Sequence, residues 1–130
     1  MTSVFIVTIK VLDGDNCRDV DLICDPKEIS ITLVFGGVCG QTYFARDFYK
    51  CFALLRKDNS KLTFCCKGAK VNVHPSSMSS QMSLGLKAYE LVVGKEPSLD
   101  DLVNIFDYED QDLTNDPEEQ RFFYMNWIKH

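Results

Sequence analysis

The first third of the chain alternates apolar and polar residues with a period of two, which is the pattern of a half-buried β-strand. Three segments show this alternation: residues 4–12, 18–24 and 29–35. In the first of them, one face is apolar and consists of Phe5, Val7, Ile9 and Val11. Turn-forming residues separate the segments, and Gly36-Gly37 follows the third. Strands connected by short polar turns predict an antiparallel meander that ends at these glycines.

The spacing of apolar residues changes to that of a helix after Gly40. The new stripe has the spacing i, i+4, i+7, i+8, i+11 and consists of Phe44, Phe48, Cys51, Phe52 and Leu55. It predicts an amphipathic helix over 42–57. Residues 61–66 and 69–74 then have the composition of two short strands. Lys67-Gly68 between them predicts a hairpin.

The second half of the chain mixes the signals of loops, strands and helices. The serine-rich residues 76–83 predict a loop, and residues 86–93 predict a strand. Ser98 is a favourable N-cap for a helix over 98–106, and Asp116-Pro117 is a typical start of a closing helix. We expect the closing helix to bury some combination of Phe122, Phe123, Met125, Trp127 and Ile128.

Together these elements predict a single α+β domain over residues 1–130. It has a mostly antiparallel β-sheet, an amphipathic central helix and two C-terminal helices. No apolar run approaches the roughly 20 residues that cross a bilayer. The start Met1-Thr2-Ser3 has no basic leader region. We therefore expect a cytoplasmic protein without a membrane segment.

The charge of the chain is distributed unevenly. The net charge is −5, and residues 96–119 contain ten acidic residues and no basic one. Such a segment repels phosphate backbones and attracts basic proteins, although it is also typical of a solvated acidic face. A basic set lies earlier, interleaved with Tyr43, Tyr49 and Phe64: Arg46, Lys50, Arg56, Lys57, Lys61, Lys67 and Lys70. Because the chain is acidic overall, we expect no nucleic-acid ligand.

The six cysteines predict free thiols and no metal centre. No Cys-x-x-Cys pair and no Cys/His cluster has the spacing of a zinc site, and Cys65 and Cys66 are adjacent. In a chain without a secretory signal, such cysteines are typical of buried thiols in a reducing compartment. The segment 107–112 also lacks the glycine and the final glutamate of a calcium loop.

The sequence contains no recognisable catalytic motif, and we expect neither enzymatic activity nor a cofactor. His74 and the terminal His130 are the only histidines, and no serine lies in a nucleophile-elbow motif. The carboxylate pairs at 100–101 and 118–119 lie where helices are predicted to begin, and helix-dipole stabilisation explains them there. An alternative hypothesis is a small enzyme whose site is assembled around His74, Ser76 and Cys39.

One stretch resembles a known class of proteins. It comprises the run Pro75–Met82, then Gly85–Tyr89, Gly94, Leu102-Val103 and Ile105–Asp107. This stretch is similar to small bacterial immunity proteins of contact-dependent growth inhibition and other polymorphic toxin systems. The resemblance implies stoichiometric neutralisation of a cognate toxin domain, commonly a nuclease, in the cytoplasm. It carries over no catalytic residue.

The acidic segment agrees with this implication because a nuclease domain needs a cationic surface to hold phosphates. We therefore predict that the chain occludes the active or substrate-binding surface of a basic toxin domain. The predicted contacts are Asp100, Asp101, Asp107, Tyr108, Glu109, Asp110 and Asp112. Another alternative is an inhibitor that mimics nucleic acid with carboxylates spaced like phosphates, and its partner would be a host DNA-binding protein.

Overall fold

The computed structural model describes residues 3–129 and confirms the α+β class with mostly antiparallel strands. Expectations that concern Met1, Thr2 and His130 lie outside the described residues. The strands are β1 (Phe5–Asp13), β2 (Asn16–Asp25), β3 (Ser30–Phe35), β4 (Val38–Phe44), β5 (Leu62–Phe64), β6 (Val73–His74), β7 (Lys87–Glu90) and β8 (Leu102–Asn104). The α-helices are α1 (Phe48–Asp58), α2 (Ser77–Met82) and α3 (Pro117–Ile128), and the 3₁₀ turns are Lys67–Ala69 and Leu99–Asp101.

The larger sheet has the strand order β4-β3-β2-β1-β5, and every neighbouring pair is antiparallel. The predicted antiparallel meander is confirmed for β1, β2 and β3. Its predicted end at Gly36-Gly37 is wrong, because these glycines form the turn to β4, which pairs with β3. The apolar side chains of the meander's period-two pattern face the core as expected: Ile9 and Val11 of β1 are buried, as are Val20 and Leu22 of β2. The side chains of α1 complete this core.

Helix α1 begins six residues later than its apolar stripe predicts. Residues 42–44 belong to β4, where Thr42 lies opposite Thr32 and Phe44 lies opposite Ser30. The Asp47 carboxylate then accepts a hydrogen bond from the backbone N–H of Lys50 (2.8 Å) and fixes the first turn of the helix. The prediction of helix over 42–57 is thus wrong at its start, and Phe44 is 58% exposed.

The smaller sheet has the order β6-β7-β8 and is also antiparallel. It replaces two predictions. The hairpin over 61–74 is wrong, because β5 pairs with β1 whereas β6 pairs with β7. The helix over 98–106 is also wrong, because a 3₁₀ turn is followed by β8, whose Leu102 and Val103 lie opposite Tyr89 and Ala88.

The remaining helices differ from expectation in other ways. The serine-rich segment predicted as a loop forms α2, in which the Ser76 hydroxyl accepts a hydrogen bond from the N–H of Ser79 (3.0 Å). Helix α3 begins with Asp116 as N-cap and Pro117 as its first residue, as predicted. Of the apolar residues expected to be buried, however, none is fully buried: Phe123 and Trp127 are half-buried, and Phe122 is 67% exposed. Of the two predicted C-terminal helices, only α3 is present in the described chain.

The described residues contain no α-helix long and apolar enough to cross a membrane. All six cysteines lie among them as free thiols. Cys17 and Cys39 are exposed, whereas the other four are buried. Burial raises the pKa of the Cys24, Cys51 and Cys66 thiols to about 12, so these groups are protonated at neutral pH.

Candidate functional site

The acidic loop, residues 107–112, lies beside residues 65–71 and is fixed to them through its backbone. The isolated bridges Cys66–Tyr108 and Lys70–Leu113 mark the two ends of this contact. Its hydrogen bonds run from Lys67 N–H to Asp107 C=O (2.8 Å), Glu109 N–H to Cys65 C=O (3.2 Å), Val71 N–H to Asp112 C=O (2.8 Å) and Thr114 N–H to Ala69 C=O (2.9 Å). The loop is therefore held at both ends by backbone hydrogen bonds, unlike a free connection.

The Glu109 side chain points inward and connects the acidic loop to two lysines. Its Oε1 accepts hydrogen bonds from Lys67 Nζ (3.0 Å) and Lys70 Nζ (2.8 Å). Its Oε2 accepts the backbone N–H groups of Asp110 and Gln111, each at 2.9 Å. With 8% of the residue exposed, this carboxylate is buried and has four donors around it. Glu109 therefore organises the loop internally, and its burial leaves it little surface for the contact predicted for it.

Glu90 of β7 completes this ionic cluster, which consists of Lys67, Lys70, Glu90 and Glu109. Its two oxygens accept hydrogen bonds from Lys67 and Lys70, both at 2.9 Å. Burial alone raises the pKa of Glu109, but the hydrogen bonds from Lys70 and Lys67 outweigh burial and lower the pKa to about 2. Burial also raises the pKa of Glu90, but the hydrogen bonds from Lys67 and Lys70 outweigh burial and lower it. Two cations and two anions thus neutralise one another.

The outward side of the acidic loop presents an aromatic ring among carboxylates. Tyr108 is 59% exposed, and Asp107, Asp110 and Asp112 are exposed as well. Partial desolvation, followed by the negative charge of Asp110, raises the pKa of the Tyr108 hydroxyl, so it is protonated at neutral pH. The loop therefore presents one large amphipathic side chain and three negative charges at its surface.

The predicted contact residues at 100 and 101 lie on a separate turn. Asp101 forms a capping box with Ser98 and an ion pair with Lys95 (3.2 Å). The hydrogen bonds to Ser98, followed by Lys95, lower its pKa. Asp100 is exposed. Within residues 3–129, no hydrogen bond or ion pair joins this turn to the acidic loop.

The residues of the alternative enzyme hypothesis do not form a hydrogen-bonded set in the described structure. His74 Nδ1 bonds to the carbonyl of Pro75 (2.9 Å). The Ser76 hydroxyl caps α2 and donates to Ser79 (3.1 Å), whereas Cys39 lies exposed on β4. In addition, residues 3–129 contain no cluster of three or more His, Cys, Asp or Glu that could hold a metal ion.

The basic set is also dispersed by the fold. Arg56 is fully buried, with its Nε donating to the carbonyl of Thr114 (3.2 Å) and its Nη2 to Gln120 Oε1 (2.8 Å). Lys67 and Lys70 belong to the ionic cluster. Three of the seven cations of the basic set, Arg56, Lys67 and Lys70, therefore have partners inside the molecule.

Sequence reasoning missed the ionic cluster because its members are far apart in the chain. Glu109 is 39 residues from Lys70 and 42 from Lys67. Only the spacing of the two lysines, three residues apart, indicates that both can face the same side of a turn. No protein-family model matches this sequence, and no curated protein is significantly similar to it.

Proposed function

We propose that this protein is a cytoplasmic immunity-type inhibitor that binds a basic toxin domain, of the nuclease class, through its acidic loop. It acts by covering the substrate-binding surface of that domain without chemical reaction. The observation that carries this proposal is the exposed ring of Tyr108 between exposed carboxylates, on a loop whose backbone is fixed by Glu109.

The fixed backbone of the loop supports a binding role. A flexible loop loses conformational entropy when it binds, and this loss weakens the complex. Here the backbone hydrogen bonds to residues 65–71 and the ionic cluster have already restricted the loop. The interaction energy of Tyr108 with a partner is therefore not offset by the cost of ordering residues 107–112.

The composition of the loop supports a cationic partner. Asp107, Asp110 and Asp112 attract a positively charged surface at long range and accelerate association. A tyrosine that becomes fully desolvated at an interface provides much of the affinity. Nuclease domains have cationic substrate sites, and the resemblance of residues 74–107 to immunity proteins points to the same class of partner.

The proposal is tested by measuring association with any toxin domain that is encoded beside this gene. The double variant Asp107→Lys/Asp110→Lys is expected to slow association at low salt about tenfold or more and to flatten its salt dependence. Tyr108→Ala is expected to accelerate dissociation, with a loss of about 2 kcal/mol in binding free energy.

The matched control is Asp15→Lys/Glu28→Lys, an equivalent double charge reversal on exposed residues of the turns that follow β1 and β2. It should leave the association rate close to wild type. An association rate and salt slope that do not change in the double variant would remove the acidic loop as the binding surface. Circular dichroism of each variant confirms that the fold is retained.

A further inference from the structure

A groove of about 620 Å³ lies between the end of β4, the start of α1 and the start of α3. Its walls are largely apolar and include Phe44, Ala53, Leu54 and Pro117. The volume is in the range of pockets that hold small organic ligands, which are typically about 300–1,000 Å³. The groove contains no residue of the acidic loop.

The charges around this groove are opposite in sign to those of the whole molecule. Arg46, Lys50 and Arg121 line it together with a single acid, Glu118, whose Oε2 lies 3.7 Å from Arg121 Nη1. The net charge of the lining is therefore positive in a chain whose net charge is −5. An apolar groove with a cationic rim is complementary to an amphipathic anion.

A buried cation increases this positive potential from behind the wall. Gln120 lines the groove, and its Oε1 accepts the hydrogen bond from Arg56 Nη2 (2.8 Å). No carboxylate of the described residues forms an ion pair with Arg56, and its Nη1 is buried without a hydrogen-bond partner among them. Because Arg56 is shielded from water, its charge is felt more strongly than that of an exposed arginine.

His74 adds a polar group at a fixed orientation. The ring of Tyr124 stacks on the His74 ring, with centroids 4.0 Å apart and 11° between the planes. The centroid of the Tyr49 ring lies 5.6 Å from that of His74. Because the carbonyl of Pro75 can only accept, Nδ1 of the neutral ring carries the proton and Nε2 has a free lone pair. The groove thus combines an apolar wall and a positive rim with one oriented hydrogen-bond acceptor, which can bind a donor but not a carboxylate or sulfonate.

We propose that this groove is a binding site for a small amphipathic organic anion, an aromatic or branched apolar body that carries one carboxylate or sulfonate. The apolar body lies against Ala53, Leu54 and Pro117. The acidic group lies at the rim, between Arg46, Lys50 and Arg121. This site is independent of the acidic loop, so its failure leaves the proposed inhibitor function untouched.

The test compares two probes on the full chain by fluorescence titration. Anilinonaphthalene sulfonate carries an apolar body and a sulfonate, and phenylnaphthylamine has the same body without the charge. We expect the anion to bind more tightly than the neutral probe. Lys50→Glu is expected to lower the affinity for the anion about tenfold, because it replaces an attraction by a repulsion within a few ångströms. The affinity for the neutral probe should not change.

Lys50→Glu is well suited to this test because it does not threaten the fold. Lys50 is exposed in the first turn of α1, which contains no acid, so a glutamate there favours the helix dipole. The matched control is Lys57→Glu, an equivalent reversal on an exposed residue of the same helix outside the groove. It should leave both affinities unchanged.

Two further variants locate the probes. Ala53→Leu narrows the groove and should weaken both probes, whereas Phe122→Ala removes an exposed apolar residue outside it and should weaken neither. Equal affinity of the two probes, no binding of the anion, or binding that depends on Phe122 and not on Lys50 would each overturn the proposal. A response to Lys57→Glu as large as that to Lys50→Glu would also overturn it.

Discussion

Replacing Glu109 by glutamine removes the negative charge that faces Lys67 and Lys70 while keeping the size of the side chain. The lowering of the Glu109 pKa from 4.5 to about 2 corresponds to about 3 kcal/mol of stability at neutral pH. The amide oxygen of the variant still accepts one or two hydrogen bonds. We therefore expect Glu109→Gln to lower the free energy of unfolding by about 2–3 kcal/mol near pH 7.

The pH dependence distinguishes the charge of Glu109 from its packing. A carboxyl group whose pKa is lower in the folded state stabilises the protein above its unfolded pKa, and the stability is lost as the pH falls toward the folded pKa. With values of 4.5 and about 2, about 1 kcal/mol of the Glu109 contribution is lost by about pH 3.5. The difference between wild type and variant should therefore shrink by that amount.

Urea unfolding at several pH values between about 7 and 3.5 measures this difference. The control is Asp110→Asn, a neutralisation of the exposed neighbour, which is expected to change stability by less than about 0.5 kcal/mol. A Glu109→Gln penalty that is the same at every pH would refute the electrostatic reasoning. A penalty no larger than that of Asp110→Asn would show that the ionic cluster does not stabilise the fold.

Two more outcomes test the packing of the fold. Gly85→Ala should lower the free energy of unfolding by about 2–4 kcal/mol, because φ is +77° and a Cβ atom would lie 2.8 Å from Cγ of the helix-capping Asp47. The control Gly14→Ala should lower it by only about 1 kcal/mol, because Gly14 has φ +64° but open space around it. In urea denaturation, a similar cost for the two variants would contradict this. In the native protein, a thiol reagent should modify Cys17 and Cys39 rapidly and the four buried thiols only on unfolding, and rapid reaction of more than two thiols would contradict the described burial.

The elements that the sequence predicts correctly are those in which local pattern and tertiary burial agree. The alternation in β1 to β3 requires only that one face of each strand be covered, and α1 covers it. The start of α3 is likewise encoded locally by Asp116 and Pro117. These features need no knowledge of distant residues.

The elements that the sequence does not predict depend on pairing between distant residues. Strand β4 is an exposed edge strand with a glycine in its middle, so it has no apolar alternation, and pairing with β3 determines it. Leu99, Leu102, Val103 and Phe106 have helical spacing, yet Leu102 and Val103 pair with β7. Backbone pairing there overrides a weak local preference.

The same limitation applies to the candidate site. The acidic charge and the exposed position of Tyr108 are consistent with the sequence, because a polar loop is expected there. The inward direction of the Glu109 side chain is not encoded locally, because its lysine partners lie near residue 70. That Tyr108 points outward and Glu109 inward becomes evident only when the loop is placed beside residues 65–71. The sequence therefore predicts the charge of this segment but not its rigidity.

The members of the ionic cluster are synthesised at different times. Lys67 and Lys70 are synthesised about forty residues before Glu109. A nascent chain that has emerged only through β7 can form the pairs with Glu90 but has no carboxylate to order residues 107–112. The acidic loop therefore gains these contacts only after Glu109 has been synthesised, and under the proposed function partner binding follows that step.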